Sequence, residues 1–237
     1  MKSVVAAIGA VVVAVGLSAC APTAGTPMAV PTETAEPYLT MQELYSASMP
    51  SVVTLRVGKE QGSGVAVADD LVITNAHVVR DEKRGTAELM GGKKLPVTVV
   101  GVAPEMDIAV VRVEGAQLTP ITQCPKGGCD LRSGDTVAAL GAPLGLDHTM
   151  TVGVVGDSDR EPMPRGDDYG GAVRSYVQHD ASIGPGSSGG ALVDTRGRLV
   201  GINSLIASRG GGGDFGFAIP ARDAMAAAYT ITLGALK

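Results

Sequence analysis

A serine set among glycines is the strongest chemical signal in the sequence. The segment reads Gly186-Ser187-Ser188-Gly189-Gly190. Glycines in such a turn let the chain present a serine hydroxyl while backbone N–H groups converge on one small space. Converging N–H groups stabilise the oxyanion of an acyl-transfer intermediate. The pattern predicts that Ser188 is a nucleophile, with Ser187 as the adjacent competitor and a plain Gly/Ser loop as the simpler interpretation.

The order of the candidate partners along the chain narrows the class of serine nucleophile. Residues 186–190 also fit G-x-S-x-G, the nucleophile turn of α/β-hydrolases, in which the histidine follows the serine. The histidines, His77, His148 and His179, all precede Ser188, so that order is excluded. The subtilisin order needs an acid before His77 and many helices, and few helices are predicted. The order of chymotrypsin, which is His, then Asp, then Ser, agrees with this sequence.

A histidine and an aspartate earlier in the chain are the residue types that an acyl-transfer serine needs as partners. His77 follows an apolar strand, Leu71–Thr74, and could act as a general base. Asp107 precedes the apolar run Ile108–Val113, so its carboxylate should lie near the interior, where a charge is costly unless it is paired. A hydrogen bond to Nδ1 of the histidine would satisfy it and hold the tautomer. Glu105 is the competing acid, but its position favours exposure.

The first twenty residues read as an export signal. A positive N-terminus is followed by small and apolar residues over positions 4–17, too few for a membrane span of about 20 residues. Leu17-Ser18-Ala19-Cys20 resembles the lipobox of bacterial lipoproteins. We therefore predict a signal peptide over residues 1–19, lipidation of Cys20 and a lipid-anchored location in the bacterial cell envelope, facing the periplasm or the exterior. An ordinary signal peptide cut nearby is the alternative.

The remaining cysteines, Cys124 and Cys129, are predicted to form a disulfide. They bracket Pro125–Gly128, a turn-forming stretch that could bring the sulfurs together. A disulfide suits an exported protein. Zinc is the rival, but the spacing differs from a C-x-x-C knuckle and no second cysteine pair exists. The histidines show no HExxH pattern, and we expect neither a metal nor a cofactor.

Composition places the bulk of the chain among globular proteins. Hydrophobic residues make up 45% and charged residues 18% of the 237 residues, which is too apolar for a disordered chain. The net charge is -5, and Lys and Arg are scattered. Nucleic-acid binding needs a basic patch, so we expect no nucleic-acid partner.

The pattern of elements favours antiparallel barrels or a sandwich. Residues 20–38 are predicted to be a flexible tether, and Thr40–Glu43 is a capping box that starts a short helix ending before Pro50. Long helices are not predicted between the strands, which argues against βαβ units. A closing helix is predicted over Ala221–Tyr229. Strands are predicted over Val52–Val57, Gly64–Val67, Leu71–Thr74, Val97–Val102, Ile108–Val113, Thr136–Leu140, Thr149–Val155, Val173–Val177, Ala191–Asp194, Leu199–Ile206 and Phe215–Ile219.

Five segments in order resemble the high-temperature-requirement (HtrA, Deg) branch of trypsin-fold serine proteases. The likeness covers roughly residues 45–230, and it rests on Gly62-Ser63-Gly64-Val65, Thr74–Val79, Asp107–Val110, Gly186–Leu192 and Gly216–Pro220. It implies an all-β fold of two six-stranded antiparallel β-barrels with a short C-terminal helix. The protease domain would span residues 39–237, with one barrel over about 50–130 and the other over about 134–230.

The resemblance also implies roles for single residues. His77 would be the base, Asp107 would orient it, and Ser188 would attack the peptide carbonyl. The backbone N–H groups of Gly186 and Ser188 would form the oxyanion hole. The chain would then be an exported serine endopeptidase acting on proteins or peptides through an acyl-enzyme, in envelope protein quality control or processing.

The substrate pocket is expected around Ser182, Ile183, Asn203 and Ser204. No acid stands at the expected pocket floor near Ser182, which favours apolar substrate side chains over Lys or Arg.

Two departures from the family pattern bear on regulation. The family places Asn or Asp where this chain has Ser187, and the run of residues up to Lys237 leads us to expect a protein that lacks the PDZ domain of many relatives. We expect no PDZ-based regulation, and a homo-oligomer is possible because trimers are common in the family. The alternative function is a lipid-anchored trypsin-fold module that binds peptides and is catalytically silent or activated by a partner.

Overall fold

The computed structural model describes residues 37–125, 128–142, 148–161, 173, 175–209 and 212–235. All of these lie in one compact unit that runs from Glu36 to Lys237. The predicted signal peptide, Cys20 and nearly all of the predicted tether lie outside the described residues. Within the described part of the chain, no helix is both long and apolar enough to cross a membrane.

The first helix, α1 (Met41–Ser48), begins at the predicted capping box. Thr40 Oγ1 accepts a hydrogen bond from the Glu43 backbone N–H, and the Glu43 carboxylate accepts one from the Thr40 backbone N–H. The side-chain and backbone bonds from Thr40 lower the pKa of Glu43. A 3-10 turn, Met49–Ser51, contains the proline that ends the helix.

The first barrel is closed and antiparallel throughout, in the strand order β1-β2-β3-β6-β5-β4. Its interior is filled by β-branched and leucine side chains, because inward positions recur along short Val-rich strands. The short helix α2 (Ala76–Val79) follows β3 directly. The strands are β1 (Val52–Val57), β2 (Glu60–Ala66), β3 (Leu71–Thr74), β4 (Arg84–Glu88), β5 (Lys94–Ala103) and β6 (Ile108–Val113).

The second barrel contains six antiparallel strands in the order β11-β8-β9-β10-β13-β12, and pairing of β11 with β12 closes it. A two-stranded parallel contact adds β7 (Thr122–Gln123) outside this barrel, against the start of β12. The strands are β8 (Thr136–Gly141), β9 (Thr149–Arg160), β10 (Tyr176–His179), β11 (Ala191–Asp194), β12 (Arg198–Arg209) and β13 (Gly212–Pro220). The predicted fold class is thus confirmed.

The last helix, α3 (Ala221–Ala235), is longer than the predicted segment Ala221–Tyr229. It packs on β5 and β6 of the first barrel and on β12 and β13 of the second. Ile231 lies so close to Gly101 in β5 that a Cβ there would be 2.8 Å from its Cγ2. This tertiary contact holds residues beyond Tyr229 in the helix, although Thr and Ile are weaker helix formers than Ala.

Two strands were absent from the sequence-based prediction. β4 reads Arg-Gly-Thr-Ala-Glu and has no apolar alternation, but it pairs with both β1 and β5. β7 is only two residues long and exists through its pairing with Arg198 and Leu199. The strand predicted over Val173–Val177 is shifted to Tyr176–His179. Partners in the sheet, rather than local propensity, decide such short strands.

Candidate active site

The structure places His77 in the first turn after β3, within α2. The backbone N–H of Ala76 and the Asn75 side-chain amide both donate to the Asp107 carbonyl oxygen, at 3.2 and 2.9 Å. These two bonds fasten the start of α2 to the turn that carries Asp107. His77 therefore sits in a fixed position at the end of a buried strand, with its side chain partly exposed.

Asp107 is the partner of His77 and is 2% exposed. It follows the 3-10 turn Pro104–Met106 and has φ +49°, in the left-handed region. The His77 Nδ1 atom lies 3.0 Å from both carboxylate oxygens, and the His77 backbone N–H donates to Oδ1 at 3.1 Å. The Ser204 hydroxyl donates to Oδ2 at 2.7 Å. The buried charge is thus surrounded by donors, as a buried carboxylate requires. The competing acid, Glu105, is exposed.

Ser204 connects this pair to the predicted nucleophile. Its hydroxyl is bonded to Asp107, while its carbonyl oxygen accepts a hydrogen bond from the Ser188 hydroxyl at 3.3 Å. His77, Asp107, Ser188 and Ser204 therefore come together at one place between the two barrels. The sequence indicated Ser204 as a pocket residue, and its bond to the carboxylate was missed because a serine in a strand carries no signal for a partner 97 residues away.

The turn that carries Ser188 is built around glycines for steric reasons. Gly186 and Gly189 have φ of +97° and +83°, which favours glycine. A Cβ on Gly189 would overlap the Ser63 carbonyl oxygen and the Thr74 hydroxyl. The Gly189 N–H donates to the Asn203 carbonyl oxygen at 2.8 Å, so the turn is also fastened to β12.

Ser187 and Ser188 have different surroundings. Ser187 is buried, and its hydroxyl oxygen accepts a hydrogen bond from the Gly184 N–H at 3.2 Å. Ser187 also donates its backbone N–H to the Gly184 carbonyl oxygen at 2.9 Å. Ser188 is partly exposed, and its hydroxyl donates to the Ser204 carbonyl oxygen, outside its own turn. This arrangement favours Ser188 over Ser187 as the nucleophile.

The expected pocket residues fall into two groups. Ser182, Ile183 and Asn203 line one crevice, together with Ser187, that is too narrow to admit a water molecule. The Ser182 carbonyl oxygen accepts a hydrogen bond from Thr151 at 2.7 Å, which joins this wall to β9. The Ser204 side chain points instead to Asp107.

His179 is a buried histidine that the sequence did not distinguish from a surface one. It lies in β10 with no exposed surface, and its ring packs against Gly216 of β13. Burial lowers its pKa from 6.5 to about 4, although Asn203, Ala181 and Asp180 oppose the shift. Within the described part of the chain, no hydrogen bond of ordinary geometry reaches either ring nitrogen. His179 is accordingly neutral near pH 7.

The two sulfur atoms of Cys124 and Cys129 lie 2.02 Å apart, with 5.4 Å between the Cα atoms. That distance suits the predicted disulfide, which would close the turn between β7 and the second barrel. Among the described residues, no group of three or more His, Cys, Asp and Glu side chains is arranged to hold a metal ion.

Comparison of the sequence with known protein families shows to which family the chain belongs. Residues 62–202 match the family model described as "Trypsin-like peptidase domain". The chain belongs to the trypsin-like peptidase family. The matched residues include His77, Asp107 and Ser188. Ser204, which contacts Asp107 and Ser188, lies just after the matched segment.

Relatives of this family member include proteases of the DegP and HtrA type. The chain is 39% identical over 204 residues to the serine protease PepD of Mycobacterium tuberculosis, covering 76% of this chain and 44% of PepD. It is 37% identical over 163 residues to a probable periplasmic serine endoprotease, DegP-like, of Chlamydia pneumoniae, covering 68% of this chain and 32% of that protein. The chain thus spans less than half the length of these two relatives.

Solved structures agree with the fold. The HtrA-type protease AlgW with a tripeptide superimposes with a TM-score of 0.73 at 32% identity, covering 82% of this chain and 64% of AlgW. A serine endoprotease from Yersinia pestis superimposes with a TM-score of 0.69 at 29% identity, covering 84% and 68%. The expected resemblance to HtrA-type proteases is confirmed.

Proposed function

We propose that this chain is a serine endopeptidase in which Ser188 attacks a peptide carbonyl, His77 is the general base and Asp107 orients the histidine. The observation that carries the proposal is the buried carboxylate of Asp107, which lies 3.0 Å from His77 Nδ1 and is linked through Ser204 to the Ser188 hydroxyl. A buried carboxylate at Nδ1 holds the imidazole proton on that nitrogen, so Nε2 can act as the proton acceptor.

The proposed reaction has two halves. The proton of the Ser188 hydroxyl moves to His77 Nε2 as Oγ bonds to the substrate carbonyl carbon, and the carbonyl oxygen becomes an oxyanion. The oxyanion is held by the N–H groups of Gly186 and Ser188. The C–N bond then breaks as His77 gives its proton to the leaving amine. Water, deprotonated by His77, attacks the acyl-enzyme ester and releases the carboxylic acid and the serine hydroxyl.

Specificity follows from the wall formed by Ser182 and Ile183. Neither side chain carries a charge, so Lys or Arg of a substrate would lose water without gaining an ionic partner there. We expect proteins and peptides to be cut after apolar residues.

Location is proposed from the N-terminal sequence and from the relatives. Cys20 would carry the lipid that anchors the protein to a membrane of the bacterial envelope, and relatives such as the DegP-like protein of Chlamydia pneumoniae are named periplasmic. A role in envelope protein quality control or processing fits both features, and self-assembly into a homo-oligomer is compatible with them. The Cys124–Cys129 disulfide would form readily in that compartment.

A fluorophosphonate probe tests the proposed chemistry directly, because it phosphonylates only an activated serine. The full chain, extracted in detergent, is treated with the probe and mapped by mass spectrometry beside Ser188→Ala, Ser187→Ala and His77→Ala. We expect labelling at Ser188 that is lost in Ser188→Ala, lost or greatly slowed in His77→Ala and retained in Ser187→Ala.

Absence of labelling in the folded wild-type protein would contradict constitutive activity. It would favour the alternative of a silent or partner-activated peptide-binding module. The feature that supports this alternative is Ser187, which stands where the family carries Asn or Asp and bonds within its own turn, to Gly184.

A further inference from the structure

Ser63 lies at the junction of the two barrels but has no place in the chemistry above. It is in β2 of the first barrel, opposite Thr54 of β1, and it is fully buried. A buried hydroxyl is costly unless its hydrogen bonds are made. The partners of Ser63 therefore indicate what the residue does.

Both polar groups of Ser63 that face the second barrel bond to the serine turn. The Ser63 hydroxyl donates to the Gly186 carbonyl oxygen at 2.7 Å, and the Ser63 backbone N–H donates to the Ser188 carbonyl oxygen at 2.8 Å. Gly186 and Ser188 are the two residues whose N–H groups hold the proposed oxyanion. One residue of the first barrel thus holds the carbonyl groups of both.

A further hydrogen bond to Ser63 fixes the direction in which its hydroxyl donates. The Ala142 N–H donates to Ser63 Oγ at 2.9 Å, so the single hydroxyl proton is directed to Gly186. The Ser63 carbonyl oxygen accepts from the Thr74 hydroxyl at 2.7 Å, at the end of the strand that leads to His77. A Cβ on Gly141 would lie 2.9 Å from Ser63 Oγ, which shows how closely β8 approaches.

The hydrogen bond from Ser63 to Gly186 restricts a residue whose backbone conformation is otherwise weakly determined. Gly186 has φ +97°, and with no Cβ it has access to many other backbone conformations. The peptide between Gly186 and Ser187 is held at its carbonyl by Ser63 and at its N–H by the Gly184 carbonyl oxygen, at 2.9 Å. Because the bond to Gly184 closes a tight turn from Gly184 to Ser187, fixing this peptide also restricts the two backbone torsions of Gly186, and with them the direction of the Gly186 N–H.

We propose that Ser63 is a positioning residue that reaches from the first barrel to orient the Gly186 N–H for the oxyanion of the transition state. The inference rests on the proposed function and deepens it. Interactions that strengthen only in the transition state raise kcat and leave substrate binding unchanged. Loss of the Ser63 hydroxyl should therefore lower kcat and the rate of serine acylation without changing KM.

The test compares Ser63→Ala with Ser51→Ala. Ser51 is an equally buried serine whose hydroxyl has no hydrogen-bond partner among the described residues, so its removal leaves the serine turn intact. We expect Ser63→Ala to lower kcat and the fluorophosphonate labelling rate roughly 10- to 100-fold, below the effect of deleting an oxyanion donor itself. KM for a peptide substrate should stay within about twofold. Ser51→Ala should match the wild type.

A second variant guards against misfolding of Ser63→Ala. Gly141→Ala keeps every hydrogen-bonding group but presses a methyl group against Ser63 Oγ, and we expect it to lower kcat and the labelling rate in the same way. Thermal unfolding of each variant reports whether the fold is retained.

The outcomes separate this inference from the proposed function. A wild-type protein that the probe does not label overturns both. A labelled wild type with full kcat in folded Ser63→Ala and Gly141→Ala overturns the role of Ser63 alone. An equal loss in Ser51→Ala, or a loss carried by KM, would also overturn it.

Discussion

At the scale of single residues, the site depends on one buried carboxylate whose donors come from distant parts of the chain. Asp107 accepts from the ring and backbone of His77 and from the hydroxyl of Ser204. Its backbone is left-handed, at φ +49°, in a turn that brings the carboxylate within 3.0 Å of His77 Nδ1 and lets the next residue enter β6. The positive φ is uncommon for a residue with a side chain, and the bonds from Ala76 and Asn75 to the Asp107 carbonyl oxygen hold it in place.

Replacement of this carboxylate should remove most of the activity without unfolding the protein. Asp107→Asn keeps the shape but presents an amide to Nδ1, which favours the wrong histidine tautomer, so we expect kcat to fall on the order of 10⁴-fold. The matched control is Glu105→Gln, two residues away and exposed. Peptide hydrolysis and fluorophosphonate labelling measure both variants. A larger loss in Glu105→Gln than in Asp107→Asn would contradict the assignment of the acid.

The buried His179 should make the protein less stable in acid. Its pKa of about 4 in the folded state is below the ordinary value of 6.5, so the unfolded chain binds more protons between these two pH values. The contribution of His179 to the free energy of unfolding is therefore fully present above about pH 6.5, and it is lost as the pH is lowered toward 4. The loss from this group is up to about 3 kcal/mol.

Urea unfolding of the wild type and of His179→Gln measures this effect. The glutamine side chain cannot bind the proton, so we expect the variant to lose less stability than the wild type between about pH 7 and pH 4.5. Between about pH 7 and pH 8, where the histidine is mostly neutral in both states, the two proteins should change almost equally. Parallel stability curves over the acid range would show that His179 does not set the acid sensitivity.

At the scale of elements, the serine turn is shaped by what surrounds it as much as by its own glycines. Gly189 faces the Ser63 carbonyl oxygen and the Thr74 hydroxyl of the first barrel. Gly190 faces the Leu140 carbonyl oxygen of β8 in the same way. The turn thus fits into a gap between β2, β3 and β8 that has no room for a side chain.

A methyl group added at Gly189 should destabilise the protein far more than the positive φ of this residue alone would. Gly189→Ala combines a positive φ with a steric clash, and we expect at least about 3 kcal/mol of destabilisation and loss of labelling. Gly134→Ala is the control, because Gly134 also has a positive φ, +94°, but nothing in the described structure lies within 4 Å of its added methyl group. That variant should lose only about 1 kcal/mol. Similar losses in both variants, measured by urea unfolding, would refute the packing argument.

At the scale of the whole molecule, α3 joins the two barrels. It packs on β5 and β6 of one barrel and on β12 and β13 of the other, with Ala224 and Ala228 buried against them. Small side chains on this face let the helix approach both barrels closely. Since the candidate site lies between the barrels, the contacts of this helix with both barrels help to hold His77 and Ser188 near each other.

A charge on the buried face of α3 should loosen both barrels together. Ala224→Asp buries an unpaired carboxylate, and we expect a destabilisation of roughly 3 kcal/mol or more. Ala226→Asp, on the exposed face of the same helix, should change the stability by less than about 1 kcal/mol. Calorimetry should still show a single unfolding transition in Ala226→Asp. Two separate transitions in the wild type would mean that α3 does not couple the barrels.

Much of this architecture was encoded locally and could be predicted. Strands such as β1, β3 and β6 were predicted at their observed bounds, because runs of β-branched residues end at polar or glycine residues in each case. The capping box at Thr40 was confirmed, since it depends only on residues three positions apart. The structure brings His77, Asp107 and Ser188 to one region, where Ser204 contacts both Asp107 and Ser188, and their roles in catalysis stay a prediction.

The tertiary structure alone decided the partners of these residues. The bonds from Ser204 to Asp107 and from Ser63 to Gly186 join residues 97 and 123 positions apart, and nothing local in a serine specifies such a partner. Burial of His179 and pairing of β4 likewise depend on the strands that surround them. Sequence patterns report local preference and residue chemistry, whereas hydrogen-bond partners and pKa shifts depend on distances that only the closed barrels create.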